Sequence, residues 1–77
     1  MSATLTSEFR VEDVLDDEVW VLDRRQGFRA AIQAEDWRYS EQLRRDIVSL
    51  SKGQVITATV ESQNELHTVW EFSEIEA

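Results

Sequence analysis

Hydrophobic and polar positions alternate over most of this chain, and one short stretch breaks the alternation. Phe9 and Val11 alternate with Glu8, Arg10 and Glu12, which predicts a half-buried strand over about 5–15. The pattern shifts at Asp13-Val14-Leu15, where a bulge is expected, and Asp16-Asp17 supplies turn chemistry. A second strand, about 18–23, is apolar on both faces, with Val19 and Val21 on one and Trp20 and Leu22 on the other. Such a strand is either buried on both sides or presents one apolar face for binding. Arg24-Arg25-Gln26-Gly27 reads as a hairpin connection in which the glycine can take positive φ. Phe28, Ala30, Ile32 and Ala34 then alternate with Arg29, Ala31, Gln33 and Glu35, the cleanest period-two run and a third strand over about 28–35.

The break in alternation is a helix. Leu43, Ile47 and Leu50 recur at i, i+4 and i+7, one stripe of a helix over about 37–50. Ser40, or Asp36 a turn earlier, is suited to cap its start, and Gly53 to follow its end as the C′ residue. Arg44 and Arg45 lie off the stripe and are expected in solvent. Two more strands follow, about 54–61 and 66–75, joined by a turn at Gln63-Asn64-Glu65. Ile56, Ala58 and Val60 share one face of the first. In the second, Leu66, Thr68, Trp70 and Phe72 share one face and His67, Val69, Glu71 and Ser73 the other. Trp70 and Phe72 are expected in the core, and Trp37, beside Tyr39, is expected to plug one end of it.

The predicted chain is therefore mostly β with one helix, in the order β-β-β-α-β-β, as a single domain over 1–77. This order resembles the oligonucleotide/oligosaccharide-binding (OB) fold, a five-stranded Greek-key barrel, and implies a small OB-like barrel or a strongly curled antiparallel sheet. SH3-like barrels, or a sheet with a helix laid across one face, fit much the same string.

Composition narrows the habitat more than the role. A chain of 77 residues has room for one core and buries only roughly 60% of its unfolded surface. Without cysteine it has no disulfide, thiolate nucleophile or thiolate metal site. No apolar run approaches the ~20 residues of a membrane span, so a soluble, cytoplasmic protein is expected. Seven arginines to one lysine, in a chain of net charge −8, resembles the composition of proteins from extreme halophiles, the haloarchaea above all. Carboxylates keep a surface hydrated in strong salt, and guanidinium is more weakly hydrated than ammonium. There the Debye length is ~3 Å or less, so net charge says little about partners.

Motifs for catalysis are lacking. Gly27 and Gly53 are far apart and form no phosphate-cradling loop, and His67 has neither a cysteine nor an adjacent serine to activate. The acidic run Asp13, Asp16, Asp17, Glu18 and Asp23 lacks the spacing of a calcium loop, and a single histidine is a thin basis for zinc. A non-enzymatic protein without metal or cofactor is expected. What stands out is charge: six of the eight basic residues fall between Arg24 and Arg45, against only Glu35, Asp36 and Glu41. In OB folds the ligand groove crosses strands two and three. Single-stranded nucleic acid needs aromatic faces for stacking and cations along the phosphates there. Trp20, Arg24, Arg25, Arg29 and Arg38 are the candidate binding residues. The same residues also fit other roles. Trp20 can pack in the core while the arginines form surface salt bridges worth ~0–1 kcal/mol each. Alternatively the patch can take a protein partner or a second copy of the chain. The direction in which Trp20 points separates these readings.

Overall fold

Strand β1 (Ala3–Val14) is the longest element of the computed structural model, which describes residues 3–62 and 69–76. Its alternation sends Ser7, Phe9 and Val11 inward. Four more strands, β2 (Glu18–Asp23), β3 (Arg29–Gln33), β4 (Val55–Ser62) and β5 (Trp70–Glu76), and one helix, α1 (Glu41–Val48), complete the predicted order. The first part of β1 pairs with β4 from Ala3↔Ser62 to Arg10↔Val55, and its last part pairs with β2 from Phe9↔Asp23 to Val14↔Val19. Sharing one strand between two partners requires a bend. The register shifts between Val11 and Asp13, where Glu12 is the extra residue, so the bulge falls just before the Asp13-Val14-Leu15 stretch where it is expected.

The strands run β1-β2-β3-β5-β4 and back to β1, a closed ring with OB-like order. The sheet is antiparallel except at one place. Where β3 meets β5 the pairing is parallel and has a single registered pair, Ile32↔Trp70. That departure from a wholly antiparallel sheet follows from the connection: the chain leaves β3, crosses through α1 and returns along β4, so β5 arrives in the direction of β3.

Alternation fills the interior, and in β2, apolar on both faces, it is Val19 and Val21 that turn inward. Phe9, Val11, Val19, Val21, Ile32, Ile56 and Val60 are all but sealed from solvent. Full burial of side chains of this size stabilises by roughly 1.5–3 kcal/mol each. Ile47 and Leu50 come from the helical stripe to the same core, with Leu43 packed at its margin. The helix is shorter than the predicted 37–50. It starts at Glu41 because the Ser40 Oγ accepts the Leu43 N–H at 3.1 Å. It ends at Val48 with Ser49 as its cap: the Ser49 N–H donates to the Arg45 carbonyl and the Leu50 N–H to the Ile47 carbonyl, each at 3.1 Å. Gly53 is not its C′ residue. It sits in the following turn at φ 90° and donates its N–H to the Val11 carbonyl at 2.7 Å. Gly27, at φ 71°, closes the β2–β3 hairpin as expected.

Two expectations fail for one reason. Trp37, expected to plug the ring, is 91% exposed, and Glu71, expected on an outward face, is buried. The segment between β3 and α1 folds back over β5 with Tyr39, not Trp37, turned inward. The Tyr39 hydroxyl donates to the Gln33 carbonyl at 2.7 Å and accepts the Phe72 N–H at 3.0 Å. It thus joins the end of β3 to β5 where the ladder has run out. Phe28 adds an edge-to-face contact on Trp70, with centroids 5.6 Å apart. The predicted turn at 63–65, His67 and the start of the last strand at Leu66 lie outside the described residues. Among those described, no helix is long and apolar enough to cross a membrane.

Tyr39→Phe tests the seam. It leaves the buried Phe72 N–H and the Gln33 carbonyl without their shared partner, at an expected cost of about 1–3 kcal/mol. Urea or thermal denaturation reads the loss, at about 4–8 °C of Tm per kcal/mol for a domain of this size. An unchanged midpoint would show that packing alone holds β3 to β5.

Candidate binding face on strands β2 and β3

Because β2 alternates, burying Val19, Val21 and Asp23 forces Trp20 and Leu22 outward. Trp20 is half-buried, held along the strand by its indole N–H, which donates to the Glu18 carboxylate at 3.2 Å. Its cross-strand neighbours are Asp13 on β1 and the small Ala31 on β3. The next row of the same face is Arg10, Leu22 and Arg29 in register. Glu12, displaced by the bulge, reaches both guanidiniums, at 3.1 Å from Arg10 Nε and 3.4 Å from Arg29 Nη2. Glu12, Asp13, Trp20 and Arg29 line an open cleft of about 450 Å³.

The hairpin above this face is pinned from beneath. Asp23 is buried, and its Oδ1 accepts the Ser7 hydroxyl at 2.8 Å and the Arg25 N–H at 2.9 Å. The Gly27 N–H donates to the Asp23 carbonyl, and the Asp23 N–H donates to the Phe28 carbonyl. Those bonds hold Arg24 and Arg25 at the exposed hairpin. Arg24 pairs with Glu8. Arg25 makes no ion pair among the described residues. The face and its hairpin thus carry Arg10, Arg24, Arg25 and Arg29 against Glu8, Glu12, Asp13 and Glu18, a neutral patch on a chain of net charge −8.

Of the five candidate residues, Trp20 and Arg29 share the cleft, and Arg24 and Arg25 stand on the hairpin beyond the Arg10, Leu22 and Arg29 row. Arg38 does not join them. Its guanidinium bridges Asp36, at 3.3 Å, and the buried Glu71 of β5. It also lies over the Trp37 ring, 5.9 Å from the centroid. With Tyr39, Ser40 and Glu61 it borders a separate cleft of about 240 Å³. Arg10 and Glu12 are two residues of this candidate face that lie outside the five named from the sequence. Both belong to the alternating run of β1, so their outward direction was readable. Their closeness to Trp20 depends on the bulge.

The Asp36–Arg38–Glu71 cluster divides its protons unevenly. A hydrogen bond from Glu71, and then those from Arg38, hold Asp36 down at about 2. Burial, and then the shared hydrogen bond with Asp36, push Glu71 above the usual carboxylate range. Asp36 is the ionised partner and Glu71 keeps its proton longer. Burial likewise pushes the Tyr39 phenol up to about 12, so it stays a donor to Gln33 at any ordinary pH. Among the described residues no group of three or more histidine, cysteine or carboxylate side chains is placed to hold a metal ion.

The two carboxyls act on stability with opposite signs. Asp36 binds a proton more weakly folded than unfolded, so its contribution is present above its ordinary value of 3.8 and lost as pH falls toward about 2. Glu71 binds its proton more tightly folded, so its contribution is full below 4.5 and declines as pH rises above that value. Chemical denaturation from pH 3 to 8 should therefore show Glu71→Gln gaining on the wild type as pH rises. Asp36→Asn should lose less than the wild type in acid. Parallel pH profiles for wild type and Glu71→Gln would show that the two carboxyls do not share a proton. No protein-family model, curated protein or solved structure matches this chain, so its function rests on the chemistry of its surface.

Proposed function

We propose that this protein is a non-enzymatic binding module that takes single-stranded nucleic acid across the outer face of β2 and β3. The observation that carries the reading is the outward Trp20, beside Arg29 in an open cleft. A half-exposed indole on a rigid strand is a stacking platform, and stacking on an aromatic face contributes ~1–3 kcal/mol per base without regard to sequence. Arg29 lines the same cleft, Arg10 stands in the next cross-strand row, Arg24 and Arg25 stand on the hairpin beyond it, and three of the four already sit against carboxylates. Exposed pairs of this kind are weak, so a phosphate can replace a carboxylate at little cost. The neutral balance of the face makes stacking, rather than charge, the main source of affinity. Such binding persists in strong salt, where phosphate contacts are screened. That suits the halophile-like composition and a cytoplasmic role.

A second reading has its own observation. Arginines and carboxylates are equal in number on the face and hairpin that carry Trp20, the mixed charge that borders an aromatic anchor in a protein–protein interface. In that case the partner is another protein, and the arginine pairs are its polar rim.

Fluorescence titration with a short oligothymidine, in a Trp37→Phe background to remove the other exposed indole, separates the two. The nucleic-acid reading expects quenching of Trp20 and loss of binding by about tenfold or more in Trp20→Ala. It also expects a shallow salt dependence, with a log–log slope near −0.7 for each phosphate contact. Absence of oligonucleotide binding both at low and at multimolar salt would reject it and leave the protein-partner reading.

A further inference from the structure

Three of the exposed large apolar side chains meet at one place. Val14 and Leu15, at the end of β1, and Val48, in the last turn of α1, are 39%, 43% and 83% exposed. They border a groove of about 230 Å³ between the β1–β2 turn and the helix, floored by core residues such as Ile47. None of its residues belongs to the Trp20 cleft. The rim of the groove is acidic on the turn side, through Asp16 and Glu35. Val48 also borders the outer surface of the helix, where Arg44 and Arg45 stand. Arg44 makes no ion pair among the described residues, and Arg45 only a loose one with Glu41, at 3.7 Å. An apolar strip thus runs between an acidic edge and a basic edge.

That arrangement is complementary to itself. A two-fold axis through the apolar strip would lay the helix of one copy against the turn of the other. Val48 of each copy would then meet Val14 and Leu15, and Arg44 and Arg45 would meet Asp16 and Asp17. Each contact would occur twice, as an isologous interface requires. We infer that this face is the contact between two copies of the chain, and that the protein forms a symmetric dimer through the helix and the β1–β2 turn.

Charge exchange tests this directly. In sedimentation equilibrium at about 0.1 M salt, the wild type should rise from its monomer mass of 9.0 kDa toward twice that value with concentration. Arg44→Glu/Arg45→Glu and Asp16→Lys/Asp17→Lys should each weaken self-association by about tenfold or more, because like charges then face each other twice. Mixed together, the two variants should pair as a heterodimer, since every contact is again between opposite charges. Val48→Asp should weaken association at multimolar salt as well, where the charges are screened. Circular dichroism checks that each exposed substitution leaves the fold intact. A wild type that stays monomeric at every concentration would overturn the inference. So would charge variants that associate like the wild type, or a mixture that does not pair.

Discussion

One phenol closes this ring. The other neighbouring strands are joined by ladders of several registered pairs, whereas among the described residues β3 and β5 have one registered pair, Ile32↔Trp70. Beyond that point the two backbones need a third party, and Tyr39 supplies it with one hydroxyl that donates to β3 and accepts from β5. Its position depends on the chain reversal between β3 and α1, itself held by an Asp36 carboxylate that caps the Arg38 N–H at 2.9 Å. The same reversal drops Arg38 onto Glu71. Seam, turn and buried carboxyl cluster therefore form one unit, and the curvature that presents Trp20 rests on the ring being closed.

The fold was legible wherever alternation dictated burial. The inward sets Ala30/Ile32 and Ile56/Ala58/Val60 follow from period two alone, whereas β2 is apolar on both faces, so period two left open which of Val19/Val21 and Trp20/Leu22 turns inward. The helical stripe was legible for the same reason. What local pattern could not give was the path of the segment before the helix. Trp37 and Tyr39 are two apart in an irregular stretch, where neither period applies, and hydrophobicity favours the wrong one. Tyr39 goes inside because its hydroxyl finds two backbone partners there, a tertiary condition that no local pattern encodes. Glu71 was misplaced with it, since its burial is the covering of β5 by that segment.

The candidate site was legible in part for a parallel reason. Trp20, Arg24, Arg25 and Arg29 lie on one hairpin, so local spacing brings them near each other. Arg38 was drawn in by its place in a run of arginines, but nearness in sequence says nothing across a chain reversal. Arg10 and Glu12 come from a strand one hairpin away, and it takes the bulge at Glu12 to lean that carboxylate toward Arg29. Carboxylates interleaved with the arginines also change the character of the face. The basic segment of the sequence becomes a neutral surface once β1 is laid beside it.

The sharing of β1 between β2 and β4 bears on how the chain acquires its structure. The β1–β2–β3 meander is local and can form early, but the β1–β4 ladder joins partners as remote as Ala3 and Ser62. Loop closure over such separations must precede the contacts that reward it, which slows two-state folding toward the millisecond-to-second range. During synthesis the N-terminal half of β1 has to wait, with its backbone groups unpaired, until β4 has been made. Its polar surface, with Thr4, Thr6 and Glu8 outward, is suited to that wait, since an exposed strand edge of this kind gives other chains little apolar surface to join.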